Sequence, residues 1–264
     1  MQLYSRLPKN WPPDANRVYR GTGKGTFAEV VRAVEILHDC GVRFGILAVI
    51  SHQSLGRARE ICDFFVSCGI RSFEFLPCFE TDPETTQLTE HSVTPAECGE
   101  FLCEAFGWWI TRDDPTVEIV YLLNILVGLL GGRPSKCKLN GSCGRYLTVG
   151  ADGTVWPCDR FVGVEQFRLG NLREQLLREI LEGEPRKQFL QQTQRLPPEC
   201  RDCRYFPVCR GGCRWLRFQT KLLGMEETLY CEVNRQLFDR AVSYLAEAKP
   251  GYHVPWREIS TVGS

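Results

Sequence analysis

Cys200-Arg-Asp-Cys203-Arg-Tyr-Phe-Pro-Val-Cys209-Arg-Gly-Gly-Cys213 places four thiols within fourteen residues. Four more stand around it: Cys137, Cys143 and Cys158 upstream and Cys231 downstream. The whole reads C-x5-C-x14-C, then C-x2-C-x5-C-x3-C, then x17-C. Eight thiolates make two sets of four, and four is what an iron–sulfur cube or a tetrahedral zinc requires. Cys-x2-Cys lets two thiolates of one tight turn reach the same metal. Gly211-Gly212 lets backbone N–H groups approach sulfur closely, and such contacts tune the potential of a cluster. Spacing alone leaves iron–sulfur and zinc both open.

Outward from that segment, composition sets the class. The chain has 264 residues, enough for one large domain or two ordinary ones. Its 32 basic and 32 acidic side chains cancel, so charge argues for neither nucleic acid nor an anionic membrane. The start, MQLYSRLPKNWPP, holds no apolar stretch of signal-peptide type, and the longest apolar run, 119–130, is too short to span a bilayer. A soluble, cytoplasmic protein is expected. Fourteen cysteines in a reducing compartment are free or bind metal. The six upstream ones (Cys40, Cys62, Cys68, Cys78, Cys98, Cys103) show no ligand grouping, and Cys40, Cys62 and Cys103 fit apolar helix faces.

The front half alternates between two periods. Thr26-Phe-Ala-Glu29 reads as a capping box opening a helix with Val30, Val31, Val34, Ile36 and Leu37 inward, followed by a buried strand over 44–50. A helix near 55–68 and the strand Ser-Phe-Glu-Phe-Leu-Pro at 72–77 repeat the unit. Thr94-Pro-Ala-Glu97 opens a third, which reaches a strand over 117–122. Helix then strand, three times, predicts an α/β fold with a parallel sheet that three units cannot close into a barrel. After Gly131-Gly132 the style changes. Segments 145–149 and 154–156 flank Gly-Ala-Asp-Gly153 as a β-hairpin, short helices follow near 172–181 and 185–192, and a last helix covers 232–248.

Residues 137–231 resemble a SPASM domain, the two-cluster module of many radical S-adenosylmethionine enzymes, and within these the anaerobic sulfatase-maturating enzymes. The resemblance rests on Cys143-Gly-Arg-Tyr, Asp152-Gly-Thr-Val-Trp-Pro-Cys158-Asp159-Arg-Phe-Val, Leu169-Gly-Asn171 and the quoted cysteine segment closed by Cys231. It implies two 4Fe–4S clusters, one on Cys137, Cys143, Cys158 and Cys213 and the other on Cys200, Cys203, Cys209 and Cys231. It also implies that Asp159 is the catalytic base in oxidation of a sulfatase Ser or Cys to formylglycine. In the reaction the resemblance implies, a deoxyadenosyl radical would take hydrogen from Cβ and the clusters would receive the released electron.

Similarity continues upstream, where Arg17 matches a position contacting the methionine carboxylate of S-adenosylmethionine and Phe79 one contacting its adenosine. The implied architecture is an incomplete (β/α) partial barrel over 1–130, a SPASM domain over 131–235 and a C-terminal helix and tail over 236–264. One departure matters. No C-x3-C-x2-C triplet for the third, cofactor-binding 4Fe–4S cluster occurs in the chain. The chain is therefore expected to be inactive alone, as a fragment, as half of a split enzyme completed by a separate chain, or as a cluster-binding electron-transfer module. Two other readings are a radical enzyme acting on a ribosomally made peptide and a zinc-organised interaction protein.

Overall fold

The computed structural model describes residues 17–80, 82, 85, 87–193, 195–222 and 230–248. The chain divides into two compact units, Met1–Leu123 and Asn124–Ser264. The tail expected after 248 lies outside the described residues.

In the first unit, helices and strands alternate: α1 (Phe27–Asp39), β1 (Ile46–Ile50), α2 (Ala58–Ser67), β2 (Ser72–Pro77), α3 (Pro95–Arg112) and β3 (Glu118–Ile119). The strands form a parallel sheet in the order β1-β2-β3, with Ile46 opposite Phe73 and Phe73 opposite Ile119. Parallel pairing needs a crossover between strands, and α2 and α3 supply it. The core is aromatic: Phe73 meets Phe75 edge-on at 5.7 Å between centroids, and Phe75 meets Phe101 of α3 at 5.0 Å. Tilted ring pairs of this kind match a ring edge to a π face.

The start of α3 is the capping box read from the sequence: Glu97 N donates to Thr94 Oγ1 at 3.2 Å, and Thr94 N donates to Glu97 Oε2 at 2.8 Å. The start of α1 is not. Thr26 sits in helical backbone without a side-chain cap, its hydroxyl donates to the Arg17 carbonyl, and Glu29 pairs instead with Lys24. On α1 only Val31 and Val34 of the expected inward set are buried, and Ile36 is exposed. Cys40 is exposed as well, whereas Cys62, Cys68 and Cys98 are buried.

The strand expected over 117–122 is another correction. Pairing stops at Ile119, and α4 (Val120–Leu129) continues the apolar run as a helix, with the division between the units inside it. A run that is apolar all round carries no period to separate buried strand from buried helix.

The second unit carries α5 (Cys137–Asn140), β4 (Thr148–Val149), β5 (Thr154–Trp156), β6 (Gly170–Asn171), α6 (Leu177–Glu182), α7 (Glu184–Thr193), α8 (Phe206–Cys209), α9 (Arg214–Leu222) and α10 (Cys231–Ala248). The hairpin is present and β6 adds to it, giving an antiparallel sheet in the order β4-β5-β6. Asp152 braces the turn by accepting from Thr154 N at 3.0 Å and Thr154 Oγ1 at 2.7 Å. Below it Phe161 stands at the centre of a ring cluster, 4.6 Å from Phe167, 5.2 Å from Trp215 and 5.3 Å from Phe189. No helix among the described residues is long and apolar enough to cross a membrane.

Candidate metal centre

Each hairpin-side thiol is held by a different local device. Cys137 opens α5, and the loop before it hangs on Asn124, a buried amide whose Oδ1 accepts from Ser135 N at 2.6 Å, Ser135 Oγ at 3.0 Å and Lys136 N at 3.2 Å. Cys143 and Cys158 pack against the core cluster of Val155, Phe161, Phe167, Leu169, Ile180 and Phe189. Cys158 ends the hairpin, and its thiol donates to Asp159 Oδ1 at 2.9 Å. A thiolate has no hydrogen to donate, so this bond and ligation of metal by Cys158 exclude each other.

The C-terminal thiols are distributed by a chain reversal. Arg210, Gly211 and Gly212 follow one another at φ of 52°, 79° and 67°. Left-handed backbone costs a residue with Cβ roughly 1–2 kcal/mol, so glycine fits two of the three places. These three left-handed residues are all that lies between Cys209 and Cys213. Cys209, with Cys200, Cys203 and Cys231, lines a cavity of about 50 Å³ that also includes Gly211 and Asn234. Asn234 Nδ2 donates to Cys209 Sγ at 3.5 Å.

Electrostatic coupling divides the thiols the same way. Burial pushes Cys143 up to about 11, with Cys213 and Cys137 adding to the rise and Arg214 and Arg217 opposing it. Cys137 is raised by burial and next by Cys213. Burial, then the bond to Asp159, pushes Cys158 up to about 12, and Cys213 contributes. In the other group, burial takes Cys209 up to about 11, eased by the Asn234 donor and raised by Cys231, Cys200 and Cys203. Cys200 is raised by burial, with Arg217 opposing and Cys203 adding. Thiols this reluctant to ionise are poor nucleophiles at neutral pH, and a metal that binds them must displace their protons.

The donor set is wholly sulfur, which suits soft or borderline metals. Among the described residues, no three of His, Cys, Asp and Glu close to the separation that one ion requires. The thiols of Cys200, Cys203, Cys209 and Cys231 line one cavity, and four sulfurs are the set an iron–sulfur cube takes. The donor chemistry fits an iron–sulfur group on that ground.

Sequence reasoning missed two cations. Arg214 is buried and donates to the Phe189 carbonyl and to Gln192 Oε1, with its guanidinium 4.0 Å from the Phe189 centroid. Desolvation lowers its pKa to about 10. Arg217 donates to the Gly211 carbonyl. The one available signal was their place just after Cys213. In the first unit, Arg17 is exposed and its carbonyl accepts from Thr26 N at 3.2 Å, while Phe79 is buried two residues past the end of β2.

Residues 141–204 match the SPASM family, an iron–sulfur cluster-binding domain. A cysteine-type anaerobic sulfatase-maturating enzyme of Clostridium perfringens is 28% identical over 221 residues, 83% of this chain and 60% of its own length. A serine-type one from Bacteroides thetaiotaomicron is 26% identical over 239 residues, 84% of this chain and 58% of its own length. The solved structure of native anSMEcpe with bound AdoMet and Cp18Cys peptide is similar at a TM-score of 0.73 and 27% identity, covering 86% of this chain and 63% of that one. The chain spans about three fifths of the length of these curated relatives.

Proposed function

We propose that these residues are the cluster-binding portion of an anaerobic sulfatase-maturating enzyme, a radical S-adenosylmethionine oxidoreductase acting on a Ser or Cys of a sulfatase. The supporting observation is the cavity lined by Cys200, Cys203, Cys209 and Cys231, beside a stretch over residues 141–204 that matches the SPASM family and holds Cys143, Cys158, Cys200 and Cys203. Cys137, Cys143, Cys158 and Cys213 hold one 4Fe–4S cluster, and Cys200, Cys203, Cys209 and Cys231 hold the second. Such clusters, when bound, supply one-electron redox capacity.

The other roles belong to side chains. Bringing a CH2–OH or CH2–SH carbon to the level of an aldehyde removes two electrons and two protons, one of them from the hydroxyl or thiol. Asp159, exposed at the hairpin end, is the base assigned to that proton. Arg17 is assigned to the cofactor carboxylate and Phe79 to the adenosine side. The C-x3-C-x2-C set that cofactor cleavage requires is absent from these 264 residues.

Anaerobic reconstitution tests the reading. The expected chain is brown, carries about eight irons, four for each site, and makes no 5′-deoxyadenosine by itself. With the three-cysteine set supplied, formylglycine forms on a sulfatase peptide, and Asp159→Asn cuts the rate roughly 10²–10⁴-fold. A colourless chain that folds equally well with its eight cysteines changed to serine sinks the assignment.

A further inference from the structure

Asn234 is the polar residue on the buried face of α10, whose other buried side chains are Val233, Leu237, Phe238, Ala241 and Leu245. Burying an amide costs free energy unless it is hydrogen-bonded, so an apolar residue would suit that face better. The amide is directed at a sulfur: Nδ2 donates to Cys209 Sγ at 3.5 Å. Asn234 is only 4% exposed and lines the cavity of Cys200, Cys203, Cys209 and Cys231. Cys231 opens the same helix three residues earlier, so one face of α10 brings both a thiol and a donor to that cavity.

The contact is braced from the other side. Asp239, farther along α10, accepts from the Tyr205 hydroxyl and the Arg204 guanidinium, and both residues stand between Cys203 and Cys209. The Tyr205 ring lies 5.0 Å from that of Phe238. These contacts tie the segment that carries Cys209 to α10.

The direction of the bond suits a metal ligand. Cys158 must give up its bond to Asp159 in order to ligate, because there the sulfur is the donor. Cys209 is the acceptor, a role that ligation leaves open to it. Hydrogen bonds strengthen when one partner is charged, so an amide donor gains most against the most negative sulfur. Adding an electron makes a cluster more negative, and the donor therefore favours the reduced form.

Resting on the iron–sulfur reading above, we infer that Asn234 is a positioning donor to the second cluster. Acting through the sulfur of Cys209, it raises the reduction potential of that cluster and leaves the first in place.

The test is a spectroelectrochemical titration of the anaerobically reconstituted full chain, followed by electron paramagnetic resonance, with iron counted in every sample. In Asn234→Leu the reduction equilibrium of one cluster is expected to shift about tenfold toward the oxidised form, near 59 mV for a one-electron couple. Asn234→Gln, which keeps an amide N–H, recovers part of the shift. Added to Cys200→Ser, which lacks the second site, Asn234→Leu leaves the remaining potential in place and so identifies the cluster. The metal-free Asn234→Leu chain melts no lower than the wild type, because its surroundings on α10 are apolar. Asn234→Ala carries the potential measurement if the leucine variant loses iron.

An unchanged second potential in an iron-loaded variant, or an equal fall at both sites, overturns the inference and leaves the iron–sulfur reading intact. Loss of second-site iron from both the Leu and Ala variants makes Asn234 a structural residue and likewise overturns it. An iron-free wild-type chain overturns the reading and the inference together.

Discussion

Replacing Asn124 by leucine removes a side-chain acceptor to which the loop before Cys137 is tied, while nearly preserving side-chain volume. Three hydrogen bonds go, from Ser135 N, Ser135 Oγ and Lys136 N. Two costs compete. Were the stranded donors sealed from water, each would cost about 1–3 kcal/mol in desolvation. Ser135 is exposed and Lys136 half-buried, so water can take up much of the slack. The net worth of the lost bonds, about 1 kcal/mol each, is then the better measure, giving roughly 3 kcal/mol in all.

For a unit of this size that is a fall of about 6–12 °C in melting temperature. The assay is urea and thermal unfolding of the metal-free chain, read by tryptophan fluorescence and far-ultraviolet circular dichroism. Asn124→Ala should fall by a similar amount plus a small cavity cost, and both variants should load less iron because Cys137 loses its anchor. A leucine variant as stable as the wild type would refute the reasoning, since it would show that an apolar run tolerates an apolar residue there.

Thr94→Ala removes the capping box of α3 and should cost about 1 kcal/mol in unfolding free energy. The gap should narrow as the pH drops. Glu97 is held below the usual carboxylate range first by the backbone N–H of residue 94, which alanine keeps. The Thr94 hydroxyl holds it down next, and its loss alone sets the pH-dependent part of the gap. Stability from a carboxylate depressed in this way is full above its unfolded pKa and fades as the pH falls through the folded one. Phe161→Ala empties the ring cluster under the hairpin and should cost about 3–5 kcal/mol, with loss of near-ultraviolet dichroism. Cys200→Ser should remove about half the bound iron and leave the spectrum of the other site, and Cys143→Ser should do the converse; unaltered iron in either would break the proposed division.

Much of this was legible in the sequence, for identifiable reasons. Thr94-Pro-Ala-Glu97 announced α3 because all parts of its cap lie within four residues. Thr26 carries the same letters, yet its hydroxyl turned to the Arg17 carbonyl, a partner that sequence spacing does not reveal. The run after Ile119 hid both the helix α4 and the role of Asn124, which reads as one polar intruder in an apolar stretch. β6 escaped because two residues carry no alternation. The two cysteine sets came from the resemblance and not from spacing, and the surroundings of Arg214 and Arg217 came from neither, since a cation after a cysteine is ordinary until the fold wraps rings and carbonyls around it.

The strands of the second unit are two or three residues long, below what holds a hairpin together in water. Backbone pairing therefore cannot be the keeper of this unit's shape; that duty passes to the ring cluster and the sulfur-bearing loops. Such a unit should be brittle rather than pliant. Oxidising its thiols in air should loosen the sulfur-bearing loops while the ring cluster stays packed, and amide protons of the hairpin would be the first to report it.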